Sequence, residues 1–382
     1  MIKTLVQKAV FGRAKREAQQ KLKKIAKEKG IFLKSLQPLY QKIAQRELKG
    51  FVVPGFNIRT LTFELGRALF RAVKKEKVGA FIIELAQSEI QYTNQSLKEY
   101  LSCILGAAIE EKFGGCLFFQ GDHFKPKNSL NDLKKLIRSA IKEGFYNIDL
   151  DCSRLKIKEN ATLTGSLTKF IRKLEPKNLS IAIGGEVGEI GGENTTEEQL
   201  REFLKNYQKE IYPLLGIIKI AVQTGTAHGK GGKVDFNLLN SLSQKAKQFG
   251  LAGIAQHGAS TLAEQDFEKF KKAEVLEIHL ATIFQNLIFE SDYFPKDLKE
   301  KIYQWLKEKF SKKEKETDPQ FFYRTRKKAL GIFKKEIWSL PQKNIDKISQ
   351  EIEEKFIFFF KKLNVFNTFD LIREVYSLSK NS

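Results

Sequence analysis

The sequence predicts an α/β protein: a (βα)8, or TIM, barrel over residues 51–310, with a basic helical N-terminal arm at 1–50 and a helical C-terminal extension at 311–382. Three observations predict it. Short apolar runs recur eight times from residue 51 onward. Segments of helical periodicity with polar faces separate them, which is the alternation of a parallel sheet buried on both faces. The repeat spans about 250 residues, the size of a closed eight-unit barrel.

Taken in order, Ala14–Lys29 is rich in Ala, Lys, Gln and Glu, all strong helix formers, and Gly30 stops it. Its charge predicts a peripheral element that stands apart from the barrel. The eight runs are Phe51–Asn57, Ala80–Leu85, Cys116–His123, Tyr146–Ser153, Ser180–Gly188, Ile217–Gly225, Gly253–Ser260 and Leu276–Thr282. Between them, Thr62–Lys75, Ser96–Phe113, Ser129–Glu143, Thr196–Tyr207 and Asp235–Phe249 each open on Ser, Thr or Asp, residues that cap helix N-termini. An open doubly wound sheet would want a GxGxxG turn after its first strand, and Val53-Pro-Gly-Phe-Asn57 is not one. Pro295–Phe310 can form the eighth helix. Asn344–Leu363 adds another, whose Phe356–Phe360 is too apolar for water and should pack on the barrel or on a second subunit. A homo-oligomer, dimer or larger, is expected.

Hydrophobic residues at 42% and charged residues at 29% describe a globular chain, and 8 prolines leave no Pro-rich linker. The net charge of +22 is concentrated at the ends. Residues 1–50 carry 14 Lys and Arg against 3 Asp and Glu, and residues 311–382 carry 16 against 10, which leaves +5 for the 260 residues between. No finger, helix-turn-helix or RNP-type motif accompanies the charge, so specific nucleic-acid binding is not expected. Cys103, Cys116 and Cys152 form no CxxC pair and read as buried thiols in a reduced compartment. With no leader-like apolar region and no run near ~20 apolar residues, the expectation is a cytoplasmic protein without a membrane partner.

Chemistry in such a barrel sits where strands end and βα loops begin. The chain has only four histidines, His123, His228, His257 and His279, and each lies at or just after the end of a different predicted strand. Imidazoles converging with a carboxylate suit Zn²⁺ or another divalent transition metal, whereas Mg²⁺ favours an all-oxygen set. Gly225, Gly229, Gly231 and Gly232 flank His228 with Lys230 and Lys233 among them, and Gly258 follows His257. Such loops let backbone N–H groups approach an anion. The loops after strands 7 and 8, here Gly258-Ala-Ser260 and Ala281-Thr282, are the usual phosphate site of this fold.

On these residues the chain resembles the class II, metal-dependent fructose- or tagatose-bisphosphate aldolases. The matching segments are Phe56-Asn57, Gly121-Asp-His123, Asp151-Cys-Ser153, Glu186-Val-Gly-Glu-Ile-Gly-Gly192, Thr226-Ala-His-Gly229, His257-Gly-Ala-Ser260 and Ala281-Thr282, in family order over about residues 51–290. The resemblance implies a divalent metal, usually zinc, held by His123, His228 and His257, with Glu186 as an additional ligand and Asp151 supporting an alternate position. It implies Asp122 as the acid that protonates the aldehyde oxygen during cleavage. Asn57, Gly229, Lys230, Gly258, Ser260 and Thr282 would hold the sugar phosphate. The implied reaction is reversible cleavage of a ketose 1,6-bisphosphate to dihydroxyacetone phosphate and glyceraldehyde 3-phosphate. The fructose isomer is expected, and tagatose bisphosphate is the alternative.

Two positions depart from the family pattern. The proton-abstracting glutamate of the loop after strand 5 falls on Asn194, so Glu193 becomes the candidate base, with Glu189 as its rival. His279 stands where the family has an asparagine that contacts the enediolate, and it can also donate a hydrogen bond. The Asn194 departure also admits a catalytically altered phosphosugar-binding barrel. In the same loop, Thr195 or Thr196 should cap the next helix, with Glu198 assisting if Thr195 is the cap.

Overall fold

The computed structural model describes residues 1–127, 129–189, 191–225 and 233–378. Helices α1 (Ile2–Phe11) and α2 (Lys15–Glu28) lead into a short strand, β1 (Ile31–Leu33), and helix α3 (Gln37–Ala44). The strands that follow are β2 (Val53–Asn57), β3 (Ile82–Ala86), β4 (Gly115–Leu117), β5 (Phe119–Phe124), β6 (Asn147–Leu150), β7 (Ala182–Val187), β8 (Lys219–Val222), β9 (Gly253–Gln256) and β10 (Glu277–Leu280). All but β1 and β4 close into a parallel barrel in chain order, with β10 pairing back onto β2. Each predicted run contributes one barrel strand. The third run, Cys116–His123, divides: its first part joins β4, which pairs with β1 through Cys116 and Phe32, and its second part forms β5.

Four of the five expected cap residues act as such; Thr62 does not, lying inside its helix with its hydroxyl donating to Gln95 Oε1 at 2.5 Å. The side chains of Ser96, Ser129, Thr196 and Asp235 accept backbone N–H groups from Glu99, Asp132, Gln199 and Leu238, satisfying donors that a helix start leaves free. Thr196, with Gln199, forms the capping box after β7, so Glu198 takes no part in it. Thr195 is buried instead, donating to the Val187 carbonyl and accepting from Gln223 N–H. Cys103, Cys116 and Cys152 are buried free thiols, as expected. Among the described residues no helix is long and apolar enough to cross a membrane.

Two expectations about the ends are overturned. The arm is not peripheral. Leu36, Leu39 and Tyr40, at and within α3, are fully buried in one cluster with Val53, Ile82, Phe118, Ala182, Ile218 and Leu276, residues at the entry ends of the barrel strands. Helix α3 therefore plugs the bottom of the barrel, and Leu36 N–H donates to Asn147 Oδ1 at 2.7 Å. The charge that suggested a free arm lies on the outer face of α2, where Lys21, Lys24 and Lys27 are exposed and Leu22 and Ala26 are buried.

The eighth helix of the ring is also not Pro295–Phe310. Helix Gln342–Lys362 packs against the helix Thr62–Lys75 and closes the ring between the last and first units. Phe356 is fully buried, with ring centroids 4.9 Å from Phe56 of β2 and 4.6 Å from Phe284. The apolar segment thus covers the barrel itself. The boundary expected at residue 310 does not separate barrel from extension, because the extension completes the barrel.

Candidate active site

Side chains alternate along a strand, so residues two apart share a face. Here the pairs Gln120 and Asp122, Asp149 and Asp151, and Glu277 and His279 all point into the barrel, joined by Glu84, Glu186 and Lys219. Lys219 of β8 donates to Gln120 Oε1 at 2.8 Å, to Asp149 at 3.0 Å and to Glu277, three strands it can reach only through the interior. Space for this charged layer comes from glycine. A Cβ on Gly184 would lie 2.3 Å from Asp149 Oδ1, and one on Gly55 would lie 3.0 Å from the Glu84 carboxylate.

The upper layer holds the histidines. His123 ends β5 with φ +47, next to a register shift between Gly121 and Phe124. A left-handed histidine at a bulge is a strained conformation of the kind found at functional sites. Gly121 permits it, since the Phe124 ring sits within 2.4 Å of where a Cβ would be. His123 Nδ1 lies 3.1 Å from Glu186 Oε2 and 3.2 Å from Asp151 Oδ2, and the His257 ring is 4.3 Å away, centroid to centroid. His257 turns Nδ1 toward Glu186 Oε1 at 3.9 Å and Nε2 toward Asp122 Oδ1 at 3.7 Å. His279 stands beneath, with Nδ1 3.6 Å from Asp122 Oδ1 and 3.3 Å from Glu84 Oε2.

Of the implied ligands, His123, Glu186 and His257 place one donor atom each within 4.8 Å of one another. Asp151 sits behind His123, held by Lys125 Nζ at 2.8 Å and the Ser153 hydroxyl at 2.6 Å. His228, Gly229 and Lys230 lie outside the described residues. The donors fit a divalent transition metal in kind: two imidazoles and a carboxylate. They also fit in charge. Burial alone would lower the His123 pKa, yet the carboxylates of Asp122 and Glu186 raise it well above the usual range, so the position attracts positive charge. Burial, together with His123 and His279, keeps His257 neutral and its lone pair free. Among the described residues His257 Nε2, His279 Nδ1 and Asp122 Oδ1 are buried without a hydrogen-bond partner, which marks a cluster arranged for something other than itself.

Burial pushes the Glu186 carboxyl up to about 7, only partly offset by His123. Asp122 is the opposite case: despite burial, the surrounding histidines hold it ionised, well below the usual carboxylate range.

The substrate-side residues are less gathered. Asn57 is buried and donates its amide to Glu89 at 3.0 Å. Gly258 has φ +74, which the turn after β9 requires, and Ser260 Oγ accepts Ala281 N–H at 3.2 Å. Thr282 accepts from Arg59 at 3.1 Å, and Arg59 is anchored by Glu89 at 2.6 Å. Glu193 is exposed on the loop after β7, and Glu189 is exposed and paired with Arg154 at 3.0 Å. Sequence reasoning missed Arg59, Glu84, Asp149 and Lys219. For Glu84, Asp149 and Lys219 the signal was present, since a lysine or carboxylate inside an otherwise apolar barrel strand must find a buried partner; Arg59 lies beyond the end of β2 and carried no such signal.

Residues 37–337 match the profile of a family described as "Fructose-bisphosphate aldolase class-II". Among solved structures, the chain is similar to a fructose-bisphosphate aldolase from Campylobacter jejuni, at 18% identity and TM-score 0.59, covering 88% of this chain and 96% of that one. It is similar to an aldolase from Escherichia coli K12 at 14% identity and TM-score 0.56, covering 87% and 98%. A fructuronate-tagaturonate epimerase from Cohnella laeviribosi shares the fold at 13% identity and TM-score 0.61, covering 83% and 82%.

Proposed function

Because the chain belongs to the class II fructose-bisphosphate aldolase family, we propose that it catalyses reversible aldol cleavage of a ketose 1,6-bisphosphate, with the fructose isomer as substrate and the tagatose isomer as the alternative. The observation that carries this reading is the convergence of His123, Glu186 and His257 on one point beside an ionised Asp122. A divalent metal, zinc by its donor set, held by these three residues and His228, would stabilise negative charge on the substrate's ketone oxygen as the bond breaks.

The chain's own groups do the rest. In cleavage, Asp122 takes the proton of the C4 hydroxyl, the C3–C4 bond breaks, and the aldehyde leaves. In condensation the protonated Asp122 returns that proton to the aldehyde oxygen. The acid role expected for Asp122 thus belongs to condensation, since an ionised carboxylate is a base in the cleavage direction. Despite its burial, the carboxylates of Glu84, Asp122 and Glu277 hold His279 protonated, so it donates toward the enediolate from Nδ1 while Nε2 faces Glu277. The Gly258-to-Ser260 turn, Thr282, Asn57, Gly229 and Lys230 hold the phosphate-bearing ends. Glu193 exchanges the proton at C3 when its loop lies over substrate.

Steady-state cleavage of fructose and tagatose 1,6-bisphosphate, before and after chelation, tests the reading. Chelator-sensitive turnover of one of them is expected. Retained binding with no turnover of either would instead favour the altered phosphosugar-binding barrel that Asn194 suggests. For the base, Glu193→Ala should abolish solvent exchange of the C3-derived proton of dihydroxyacetone phosphate while binding persists. Full exchange in both Glu193→Ala and Glu189→Ala would remove this loop from the chemistry.

A further inference from the structure

We infer that Tyr40, Lys219 and Glu277 are positioning residues for His279, so that the N-terminal arm sets the geometry of the site from beneath the barrel. The inference rests on the role proposed above for His279. Glu277 lies two residues before His279 on the same inward face of β10, and its Oε2 is 3.0 Å from His279 Nε2. The same carboxylate accepts from Lys219 Nζ, and its other oxygen accepts the Tyr40 hydroxyl. Tyr40 and Glu277 are 0% exposed and Lys219 is 1% exposed, so no water competes for these bonds.

Three donors on one buried carboxylate leave it a single orientation. Burial alone would push the Glu277 carboxyl up, but Lys219 and His279 outweigh it and hold it at about 2. An ionised carboxylate can only accept, so the proton between Glu277 and His279 resides on Nε2. The ring is thereby locked with Nδ1 facing Asp122 and Glu84. Lys219 is fixed in turn by Gln120 and Asp149, and Tyr40 by the packing of α3 into the barrel floor. The chain of contact runs from the arm, through Glu277, to a side chain beside Asp122.

The test uses the full-length, zinc-loaded protein. Tyr40→Phe keeps the ring and its packing and removes only the hydroxyl. It should lower kcat about 10–100-fold, the usual effect of losing a group that orients a site residue. KM and zinc content should not change. In a His279→Asn background the same substitution should have no further effect on kcat. An equal loss of kcat in both backgrounds, or KM and zinc falling together with kcat, would overturn the proposal. A second readout does not depend on turnover: ring ¹⁵N–¹H correlations, with the His279 signal identified by its loss in His279→Asn. The wild type should show an Nε2–H signal displaced by its bond to Glu277, and Tyr40→Phe should move that signal. If no ketose bisphosphate is turned over but the signal moves, the assigned reaction fails and the positioning stands. An unmoved signal sinks the positioning whatever the activity. Should Tyr40→Phe not fold, Glu277→Gln, nearly identical in shape, carries both measurements.

Discussion

Asp122→Asn is expected to lower kcat by about 10²–10⁴-fold, the usual contribution of a general acid or base, while leaving metal content intact. The substitution keeps size and one acceptor oxygen, so the contacts toward His257 and His279, 3.7 and 3.6 Å away, lose little shape complementarity. What disappears is a group that can take up and return a proton. Asp122 is buried, so water does not replace it easily. Its carboxylate is held below the usual range by the histidines around it, so in the wild type it is ionised near neutral pH. The cleavage rate should then show no rising limb from Asp122 near neutrality. Metal analysis decides between roles. Metal lost in proportion to activity would make Asp122 a support for the histidines rather than a proton carrier.

Deleting residues 1–45 is expected to abolish soluble, cooperatively unfolding protein. A peripheral arm, as its charge predicts, would be dispensable; its packing reverses that expectation. Leu36, Leu39 and Tyr40 are each fully buried in the barrel floor. At roughly 1.5–3 kcal/mol per buried side chain, these three alone approach the total of about 5–15 kcal/mol that keeps a domain folded. The deletion also removes β1 from β4, frees Asn147 Oδ1, and strips Glu277 of one of its donors. Chemical denaturation of the truncated chain, followed by circular dichroism, measures the effect. A sigmoidal transition at a denaturant midpoint near that of the intact protein would show that the floor is closed by something else.

The barrel was legible because its signal is local. Each apolar run carries its own strand, and Ser96, Ser129, Thr196 and Asp235 carry their own helix starts. The position of the histidines was legible for a related reason: the end of a strand in sequence is the end of a strand in space. What was hidden is long-range. The helical composition of residues 14–29 says nothing of where that helix docks, and helices 295–310 and 342–362 look alike until one of them is found against Phe56. Lys219 within Lys219–Val222 reads as an isolated charge until Asp149 and Glu277, on other strands, are brought beside it. The division of the third run was hidden as well, because its first part pairs with a three-residue strand more than eighty residues earlier. A base after β7 was the least legible part of the candidate site. Neither Glu193 nor Glu189 is drawn into the cluster by any contact that sequence could have foreseen.

The bond between Tyr40 and Glu277 joins residues 237 positions apart. During synthesis, the apolar face of α3 therefore emerges long before the strand that will receive it. The Lys219 ammonium, too, is made before the carboxylate of β10 that helps neutralise it. Closing so long a loop is entropically slow, and contacts of this separation are the ones that retard folding most. The floor under α3 and the charged layer above it are both completed only when the last strand closes the ring, although Val53, Ile82 and Phe118 are available to α3 earlier. Helices α1 and α2 find the helix Leu97–Glu110 and β1 finds β4 well before then, so within the arm it is the Tyr40 hydroxyl that waits longest for its partner.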